Sequence, residues 1–208
     1  MSPGATMERV YLALKARILA GEFTPGTRLD PAQLSRSLAA SATPVRDALN
    51  RLSGERMVES WHQDGFRQPQ LAEGDIADLH GWLGTLLSLA LKGPRPRPES
   101  PDVLLELAAH DRYPDAVDRL FRTIAIGTAN RELQYSIVNA IERSAVFREA
   151  EAKIDERAEE ALAAMADDYR FGRWSALRSK ITRFHRQRVR LAGRVAAHLR
   201  PRSQPFRQ

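Results

Sequence analysis

The chain has 208 residues, enough for one large domain or two modest domains with a real core. It contains no cysteine, which excludes a disulfide framework and thiolate metal sites. No apolar run approaches the roughly 20 residues that span a bilayer, and the first residues lack the pattern of a signal peptide, so we expect no membrane partner and a cytoplasmic location. The formal net charge of +6, from 32 basic and 26 acidic side chains, favours a polyanionic partner.

The first predicted helix covers residues 6–21. Val10, Leu14 and Ile18 recur at helical spacing and form its apolar stripe. A glycine and a Pro-Gly turn end this helix. A second short helix is predicted over residues 30–40.

A third helix, over residues 41–52, carries a strong start signal. Thr43 is expected to cap it with its hydroxyl, and Pro44 fits the first helical position, where its missing N–H is not needed. The link over residues 40–42 is short enough only for a tight turn between two crossing helices. This spacing predicts a helix-turn-helix.

The third helix is expected to have two different faces. Its inner face carries apolar side chains at helical spacing, namely Val45, Leu49 and Leu52. Its other face carries Thr43, Arg46, Asp47 and Asn50. A cation, a hydroxyl and an amide are the groups that contact phosphates and base edges. The outer face therefore predicts nucleic-acid recognition.

Two strand-like runs follow, over residues 57–61 and 66–68. They are joined by residues 62–65, which end in Asp-Gly, a strong signal for a hairpin. Three helices followed by a hairpin predict a winged helix.

Four blocks in this region, in this order, resemble the DNA-binding domain of the GntR family of bacterial transcription regulators. The blocks are Glu22-Phe23-Thr24-Pro25-Gly26-Thr27-Arg28-Leu29, Leu34-Ser35-Arg36-Ser37-Leu38, Thr43-Pro44-Val45-Arg46-Asp47-Ala48-Leu49 and Gly65-Phe66. The resemblance covers about residues 7–71, and we place the first domain at residues 1–71.

The expected DNA contacts follow from this resemblance together with the outer face of the third helix. Arg46 comes first, because it projects from the first turns of the recognition helix. The full set is Arg36, Ser41, Thr43, Arg46, Asn50, His62, Gln63, Gly65 and Arg67. One position departs from the family pattern, since Ala42 stands where the family usually has an arginine. This departure suggests an unusual operator.

The rest of the chain is expected to be an all-helical domain over residues 76–200, after a short hinge at residues 72–75. The predicted helices cover residues 76–92, 102–110, 114–128, 131–146, 148–171 and 175–199. Prolines predict an extended connection over residues 92–101, and residues 201–208 are expected to be disordered.

An all-helical domain behind this type of winged helix resembles the FadR subgroup, whose helical bundle binds a small effector and contributes dimer contacts. The subgroup often holds a metal with an aspartate, a histidine four residues later and two later histidines. Asp118 matches the aspartate, Arg122 stands in place of the first histidine, and the later positions fall near Leu162 and Phe184. The candidate effector-binding residues are Asp118, Arg122, Asn130 and His185.

No metal site and no cofactor are expected. A permanent cation at Arg122 would repel a divalent ion, and His185 and His198 lie thirteen residues apart on one predicted helix, about 20 Å at 1.5 Å per residue. Two interpretations of Arg122 remain open. It either binds the carboxylate of an effector or only pairs with Asp118, one turn away.

The leading hypothesis is a dimeric, ligand-responsive transcription regulator that binds a pseudo-palindromic double-stranded operator. Broad apolar stripes over residues 76–92 and 175–199 suggest a homodimer through the helical domain. The alternative is a winged-helix DNA-binding protein whose helical domain only dimerises. An enzyme is disfavoured, because no nucleophile–base pair, carboxylate pair or metal cluster has a usable spacing.

Overall fold

The structure is a computed structural model that describes residues 3–61, 65–93 and 112–200. It divides into two compact units, one ending at Leu71 and the other covering Ala72–His198. The predicted fold class is confirmed: a winged helix-turn-helix with a small antiparallel sheet is followed by a unit whose regular elements, where described, are all helical. Within these described ranges, no helix is long and apolar enough to cross a membrane.

The N-terminal unit contains three helices and three short strands. In chain order they are α1 (Pro3–Leu19), β1 (Arg28–Leu29), α2 (Pro31–Ser37), α3 (Ala42–Gly54), β2 (Glu59–Trp61) and β3 (Gly65–Arg67). The start of α2 is set by Asp30, whose carboxylate accepts hydrogen bonds from the backbone N–H groups of Ala32 at 2.7 Å and Gln33 at 3.3 Å. This cap satisfies two of the four N–H groups that a helix start leaves free.

The core of the N-terminal unit forms where α1 packs across α3. The predicted stripe on α1 is confirmed, since Val10, Leu14 and Ile18 are buried. The inner face of α3 is buried as well. The remaining buried side chains of this core are Tyr11, Leu29, Leu34, Leu38, Val45, Ala48, Leu49, Leu52, Met57, Val58 and Phe66.

The sheet has the order β1-β3-β2, and both pairings are antiparallel. The predicted hairpin is confirmed, with Trp61 opposite Gly65, whose φ of +81° is a backbone conformation that favours glycine. Strand β1, in which Arg28 pairs with Arg67, has only two residues and was not predicted from the sequence. Residues 62–64, between β2 and β3 in the sequence, lie outside the described residues.

The start of α3 differs from the prediction. The helix begins at Ala42, with Ser41 as the capping residue, so Thr43 and Pro44 occupy the second and third helical positions. Thr43 is therefore not the cap, and the Ser41 side chain makes no capping hydrogen bond either. A proline is tolerated throughout a first turn because the N–H groups there have no intrahelical acceptor.

The second unit consists of helices in the described part of the chain. They are α4 (Glu73–Ala90), α5 (Tyr113–Ile126), α6 (Arg131–Ser144), a 3₁₀ turn (Ala145–Phe147), α7 (Arg148–Ile154), α8 (Ala158–Arg170) and α9 (Trp174–Leu199). The helix predicted at residues 102–110, most of the connection predicted at residues 92–101 and the tail at residues 201–208 lie outside the described residues.

Helix α5 lies at the centre of this unit and packs against α4, α6, α7 and α8. Aromatic contacts join it to α9, where the rings of Phe121 and Phe184 meet edge to face at 5.9 Å. The fully or almost fully buried apolar side chains include Ile76, Leu83, Leu87, Phe121, Ile137, Ile141, Phe147, Met165, Leu177 and Ile181.

The helix predicted over residues 148–171 is in fact two helices. The break falls at Asp155, whose backbone is extended with φ −114° and ψ 97°. The Asp155 carboxylate accepts hydrogen bonds from the Arg188 guanidinium and from the backbone N–H of Arg157. A long-range ion pair with α9 thus interrupts a segment whose local composition favours a continuous helix.

Helices α4 and α9 approach closely at Gly84. A Cβ at this position would lie 2.8 Å from Cβ and 2.9 Å from Cγ of His185, closer than real Cβ atoms come to other atoms. Neither atom belongs to the flexible end of a side chain. Glycine at this position therefore allows the two helices to pack at this distance.

We expect Gly84→Ala to destabilise the protein by about 1–3 kcal/mol, because an added methyl group overpacks the contact with His185. The matched control is Gly74→Ala on the same helix, where a Cβ meets nothing within 4 Å. That change should leave stability unchanged or raise it by up to about 1 kcal/mol, since alanine favours a helix. Chemical denaturation of both variants measures the difference, and equal stabilities would contradict the close packing.

Candidate nucleic-acid interface and buried polar network

The outer face of α3 is exposed and has free polar groups. Thr43, Arg46, Asp47 and Asn50 are all exposed, as predicted from their spacing. In the part of the chain that the structure describes, Arg46 and Asn50 form no ion pair and no hydrogen bond through their side chains. A guanidinium and an amide are therefore available to an external ligand.

Other arginines of this unit are bound internally. Arg51, on the same helix, donates to Glu8 at 2.7 Å and lies 3.6 Å from the centre of the Tyr11 ring. The hydrogen bond with Glu8 raises the pKa of the Arg51 guanidinium. Arg17 donates from Nε to Glu22 at 2.7 Å. These side chains already have partners within the N-terminal unit, unlike Arg46.

Arg9 supports the turn of the helix-turn-helix. Its guanidinium donates to the carbonyl oxygens of Leu38 at 3.1 Å and Ala39 at 3.2 Å. Ala39 has a φ of +47°, which is uncommon for a residue other than glycine. This role was not predicted from the sequence, because no local signal connects Arg9 with carbonyl groups about 30 residues away.

The other predicted DNA contacts are placed as follows. Arg36 on α2 and Ser41 before α3 are exposed. Gly65 and Arg67 lie on β3, where the Arg67 guanidinium is 5.6 Å from the centre of the Trp61 ring. His62 and Gln63 lie outside the described residues.

The start of α3 is suited to an anion. Ser41 does not cap the helix with its side chain, so the first N–H groups of α3 are not satisfied by it. A helix N-terminus carries a partial positive charge that attracts phosphate. Arg46 adds a full charge one turn further along. The exposed face of α3 thus carries side chains of the types that contact phosphates and base edges.

The candidate effector residues of the second unit do not form one cluster. Arg122 donates from Nε to Asp118 at 2.6 Å and from Nη2 to Glu142 at 3.4 Å. Asn130 is exposed and caps α6, since its side chain accepts from the backbone N–H of Leu133 at 3.0 Å. Of the two interpretations of Arg122, the structure shows the pairing with Asp118.

His185 belongs to a different set of residues, which we call the buried polar network: His80, Tyr113, Arg148, Glu151, His185 and Arg188. His185 Nδ1 lies 3.4 Å from His80 Nδ1, and His80 Nε2 lies 2.6 Å from Glu151 Oε1. His185 Nε2 has no hydrogen-bond partner among the described residues. The two buried imidazole rings are therefore joined by one long polar contact.

Arg188 connects α9 to α5 and to α7, including Asp155 at the end of α7. Its side chain, 1% exposed, donates from Nη2 to the Tyr113 hydroxyl at 2.8 Å and from Nη1 to Asp155. Its Nε lies 3.7 Å from Glu151. The guanidinium also lies 4.2 Å from the centre of the Phe184 ring, a cation–π contact.

Arg148, the second buried arginine of the network, contacts α5 and α6. It donates to Ser144 at 3.0 Å and to the carbonyl oxygen of Pro114 at 3.3 Å, and its Nη1 lies 3.4 Å from Asp118. Burial lowers the pKa of this guanidinium, against the opposing effect of Asp118. The roles of Arg148 and Arg188 were not predicted from the sequence, since a lone buried arginine leaves no periodic signal.

Burial lowers the pKa of His185 well below its ordinary value, and the neighbouring charges of His80 and Arg188 act in the same direction. His185 is therefore neutral at pH 7. Burial raises the pKa of the Tyr113 phenol, which keeps that group neutral as well. Among the described residues, no group of three or more histidine, aspartate and glutamate side chains is arranged to hold a metal ion.

Residues 6–67 match the model of the family described as bacterial regulatory proteins, gntR family. One relative is the "Uncharacterized HTH-type transcriptional regulator YdhC" of Bacillus subtilis, 30% identical over 70 residues, which are 34% of this chain and 31% of that protein. Another is the "HTH-type transcriptional repressor GlaR" of Escherichia coli, 33% identical over 69 residues, which are 33% of this chain and 31% of that protein. The matched region thus spans about a third of these relatives.

Two solved structures share the fold over most of the chain. The E. coli McbR/YncC structure has a TM-score of 0.70 at 19% identity and covers 91% of this chain and 97% of its own. A putative GntR transcriptional regulator from Rhodococcus sp. RHA1 has a TM-score of 0.77 at 17% identity and covers 90% of this chain and 97% of its own. At 19% and 17% identity, these similarities show that the fold is shared and show nothing about function.

The fold and the exposed face of α3 define a winged helix-turn-helix protein with a helical second domain. The first domain is similar to the GntR family of bacterial regulatory proteins over residues 6–67, and the whole chain shares its fold with a solved structure of a putative GntR regulator. The family and the named relatives are transcription regulators and not enzymes.

We expect the stability of the helical domain to fall as the pH drops below about 6.5. Burial depresses the pKa of His185, so the unfolded chain binds a proton there more readily than the folded chain. The stabilisation is present above the unfolded pKa of about 6.5 and is lost below it, at a rate of up to about 1.4 kcal/mol per pH unit for one proton.

Denaturation between pH 7.5 and pH 5 measures this effect. His185→Gln should have a smaller pH dependence than the wild-type chain. The exposed His198, on the same helix, supplies the control variant His198→Gln, which should behave like the wild type. An unchanged pH profile in His185→Gln would show that other groups determine the acid sensitivity.

Proposed function

We propose that this protein is a sequence-specific transcription regulator of the GntR type that binds double-stranded operator DNA. The observation that carries this proposal is the exposed outer face of α3, where Arg46 and Asn50 have no partner among the described residues. Its opposite face is completely buried, which fixes the direction in which these side chains point. The protein would act in the cytoplasm, where such an operator is accessible.

In this proposal α3 enters the major groove. Arginine pairs with the O6 and N7 atoms of guanine, and asparagine pairs with adenine. Arg46 and Asn50 would therefore read bases, while Ser41, Thr43 and Arg36 contact phosphates. The wing, with Gly65, Arg67 and the neighbouring His62 and Gln63, would contact the adjacent backbone.

The active form would be a homodimer. Two recognition helices held about 34 Å apart, one turn of DNA, read two half-sites of a pseudo-palindrome. Exposed apolar side chains on α4 and α9 support dimerisation through the helical domain, since Trp82, Leu89 and Val189 are all exposed. We assign the helical domain to the FadR-like subgroup on this organisation.

An effector would bind to the helical domain. A carboxylate metabolite would be held by Arg122, which is one-third exposed and is paired with Asp118 and Glu142 until a ligand competes for it. Asn130 and His185 lie apart from Arg122 and would have structural roles, Asn130 as the cap of α6 and His185 in the contact with His80 on α4. No metal or cofactor is part of the proposal.

A second function is favoured by one observation. Arg122 already forms two ion pairs, so the helical domain has no unpaired charge at the position that the family resemblance assigns to the effector. In this alternative the helical domain only dimerises, and DNA binding is independent of a ligand.

We expect Arg46→Ala to lose specific operator binding, at a cost of about 1–3 kcal/mol for one base contact, with no change in stability. Arg51→Ala is the matched control, because Arg51 lies on the same helix but is bound to Glu8. It should lower stability slightly and leave the preference for the operator intact. Titrations with operator and unrelated DNA measure both variants, and an equal loss of specificity in both would contradict the assignment.

A thermal-shift screen with small carboxylates distinguishes the two functions of the helical domain. A ligand that binds only the folded state raises the melting temperature. We expect such a rise for the wild-type chain and its loss in Arg122→Gln, while Arg112→Gln, an exposed arginine paired with Glu149, keeps it. If a broad panel gives no rise, the helical domain serves dimerisation alone.

A further inference from the structure

A groove between α4 and α9 carries positive charge in its wall. Its volume is about 590 Å³, within the range of pockets that hold small molecules. The lining contains three cations, Lys92, Arg186 and Arg190, and no described aspartate or glutamate. Clefts lined by charge of one sign concentrate ligands of the opposite sign. The groove is therefore suited to an anion.

These three cations have no acidic partner among the described residues. All three are exposed, and none forms an ion pair or a side-chain hydrogen bond there. Arg112, on the surface of the same unit, is by contrast paired with Glu149. Arg186 and Arg190 also lie one turn apart on α9, where like charges repel each other. A bound anion would relieve this repulsion.

The cations are spread along the groove. Helices α4 and α9 are antiparallel, since the contact at Gly84 is followed, towards the start of α4, by a contact of Glu73 with the position of Gly193 near the end of α9. Lys92, just after α4, and Arg190 on α9 therefore lie at opposite ends of the groove. A ligand that contacts both ends needs two separated anionic groups.

The pair of arginines on α9 favours a phosphate over a carboxylate. A phosphate monoester carries between one and two negative charges and three acceptor oxygens, so two guanidinium groups can bind it together. A carboxylate has one charge and two oxygens, and a single arginine satisfies it. Lysine acts as a point charge, so Lys92 accepts either group.

Two polar groups in the wall have no partner in the described part of the chain. Ser88 is half-buried, and its hydroxyl forms no hydrogen bond there. His185 is 3% exposed, and its Nε2 has no hydrogen-bond partner, although buried polar groups normally have one. The wall is also open at Gly81, where a Cβ would meet nothing within 4 Å. These features favour a ligand whose body carries hydroxyl groups.

We propose that the groove binds a phosphorylated sugar or polyol that carries a second phosphate or a carboxylate. The first phosphate binds Arg186 and Arg190, and the second anionic group binds Lys92. From Thr182 to Arg190, the α9 side of the groove is about 12 Å long at 1.5 Å per residue. Since lysine and arginine side chains are long and flexible, a hexose bisphosphate can contact both ends.

This site goes beyond the proposed function. There a carboxylate effector binds Arg122 on α5, and neither Arg122 nor its acidic partners line the groove. Duplex DNA is a second source of phosphate groups. A duplex would bind along the outside of α9 and contact Arg183, which is exposed but does not line the groove. The concave shape of the groove favours a small ligand, and Arg183 distinguishes the two sources.

Isothermal titration calorimetry of the full chain tests the class of ligand. The probes are fructose bisphosphate, fructose monophosphate and fructose. We expect the bisphosphate to bind about tenfold more tightly than the monophosphate, because it gains a charge-assisted contact with Lys92. Fructose should not bind measurably, since it has no anionic group.

Charge-neutralising variants locate the two anionic groups. Arg186→Gln should weaken the binding of both phosphorylated probes about tenfold. Lys92→Gln should weaken only the bisphosphate, so that the two probes bind equally. Arg183→Gln removes the same charge from an exposed position outside the lining and should leave both affinities unchanged.

Gly81→Leu tests the groove itself without changing a charge. The open position accommodates the side chain, and leucine favours a helix more than glycine does. The added side chain should fill the groove and abolish binding of the bisphosphate. Gly74→Leu, at another open position on α4 outside the lining, is the matched control. Circular dichroism and light scattering of every variant verify that folding and association are unchanged.

The outcomes separate this inference from the proposed function. Absence of bisphosphate binding at millimolar concentration overturns the inference. It is also overturned if Arg183→Gln loses as much affinity as Arg186→Gln, or if unrelated duplex DNA displaces the bisphosphate, since the surface would then bind DNA. A loss of binding in Arg122→Gln alone would place the phosphate at the proposed effector site and leave the proposed function intact. Operator binding that does not depend on Arg46 contradicts only the proposed function.

Discussion

The buried face of α3 is the constraint on which the candidate DNA interface depends. Val45, Leu49 and Leu52 are completely buried against the rest of the N-terminal core, and their helical spacing fixes the rotation of α3 about its axis. Turning the helix by one residue, about 100°, would bring Arg46 towards this core. Burying an unpaired charge costs several kcal/mol. The apolar core thus determines which side chains point outwards.

The arginines of the N-terminal unit fall into two groups, those bound within the unit and those free to contact a ligand. Arg9 holds the turn before α3, Arg51 binds Glu8 and stacks on Tyr11, and Arg46 remains free. Residue type does not distinguish them, since an arginine on an exposed surface is compatible with either role. Only the positions of carboxylates and carbonyl groups more than 25 residues away separate the two sets.

Features encoded by neighbouring residues could be predicted from the sequence, and features that depend on distant partners could not. The apolar stripe of α1 and the Asp-Gly hairpin are local patterns, and both are present in the structure. Strand β1 was missed because two residues become a strand only by pairing with β3. The break at Asp155 was missed because it depends on Arg188, 33 residues further along.

The helical domain contains buried charges that neutralise one another. Arg188 is held by Glu151, Asp155 and the Tyr113 hydroxyl, and removing any one partner would leave a buried cation partly unpaired. An anionic ligand could bind Arg188 only by displacing one of these carboxylates. The ligand would then have to supply the same negative charge inside the core. Arg122 is different, since its ion pair with Asp118 is one-third exposed and water can stabilise the displaced carboxylate. If the domain responds to an anion, Arg122 is therefore a better binding residue than the buried Arg148 and Arg188.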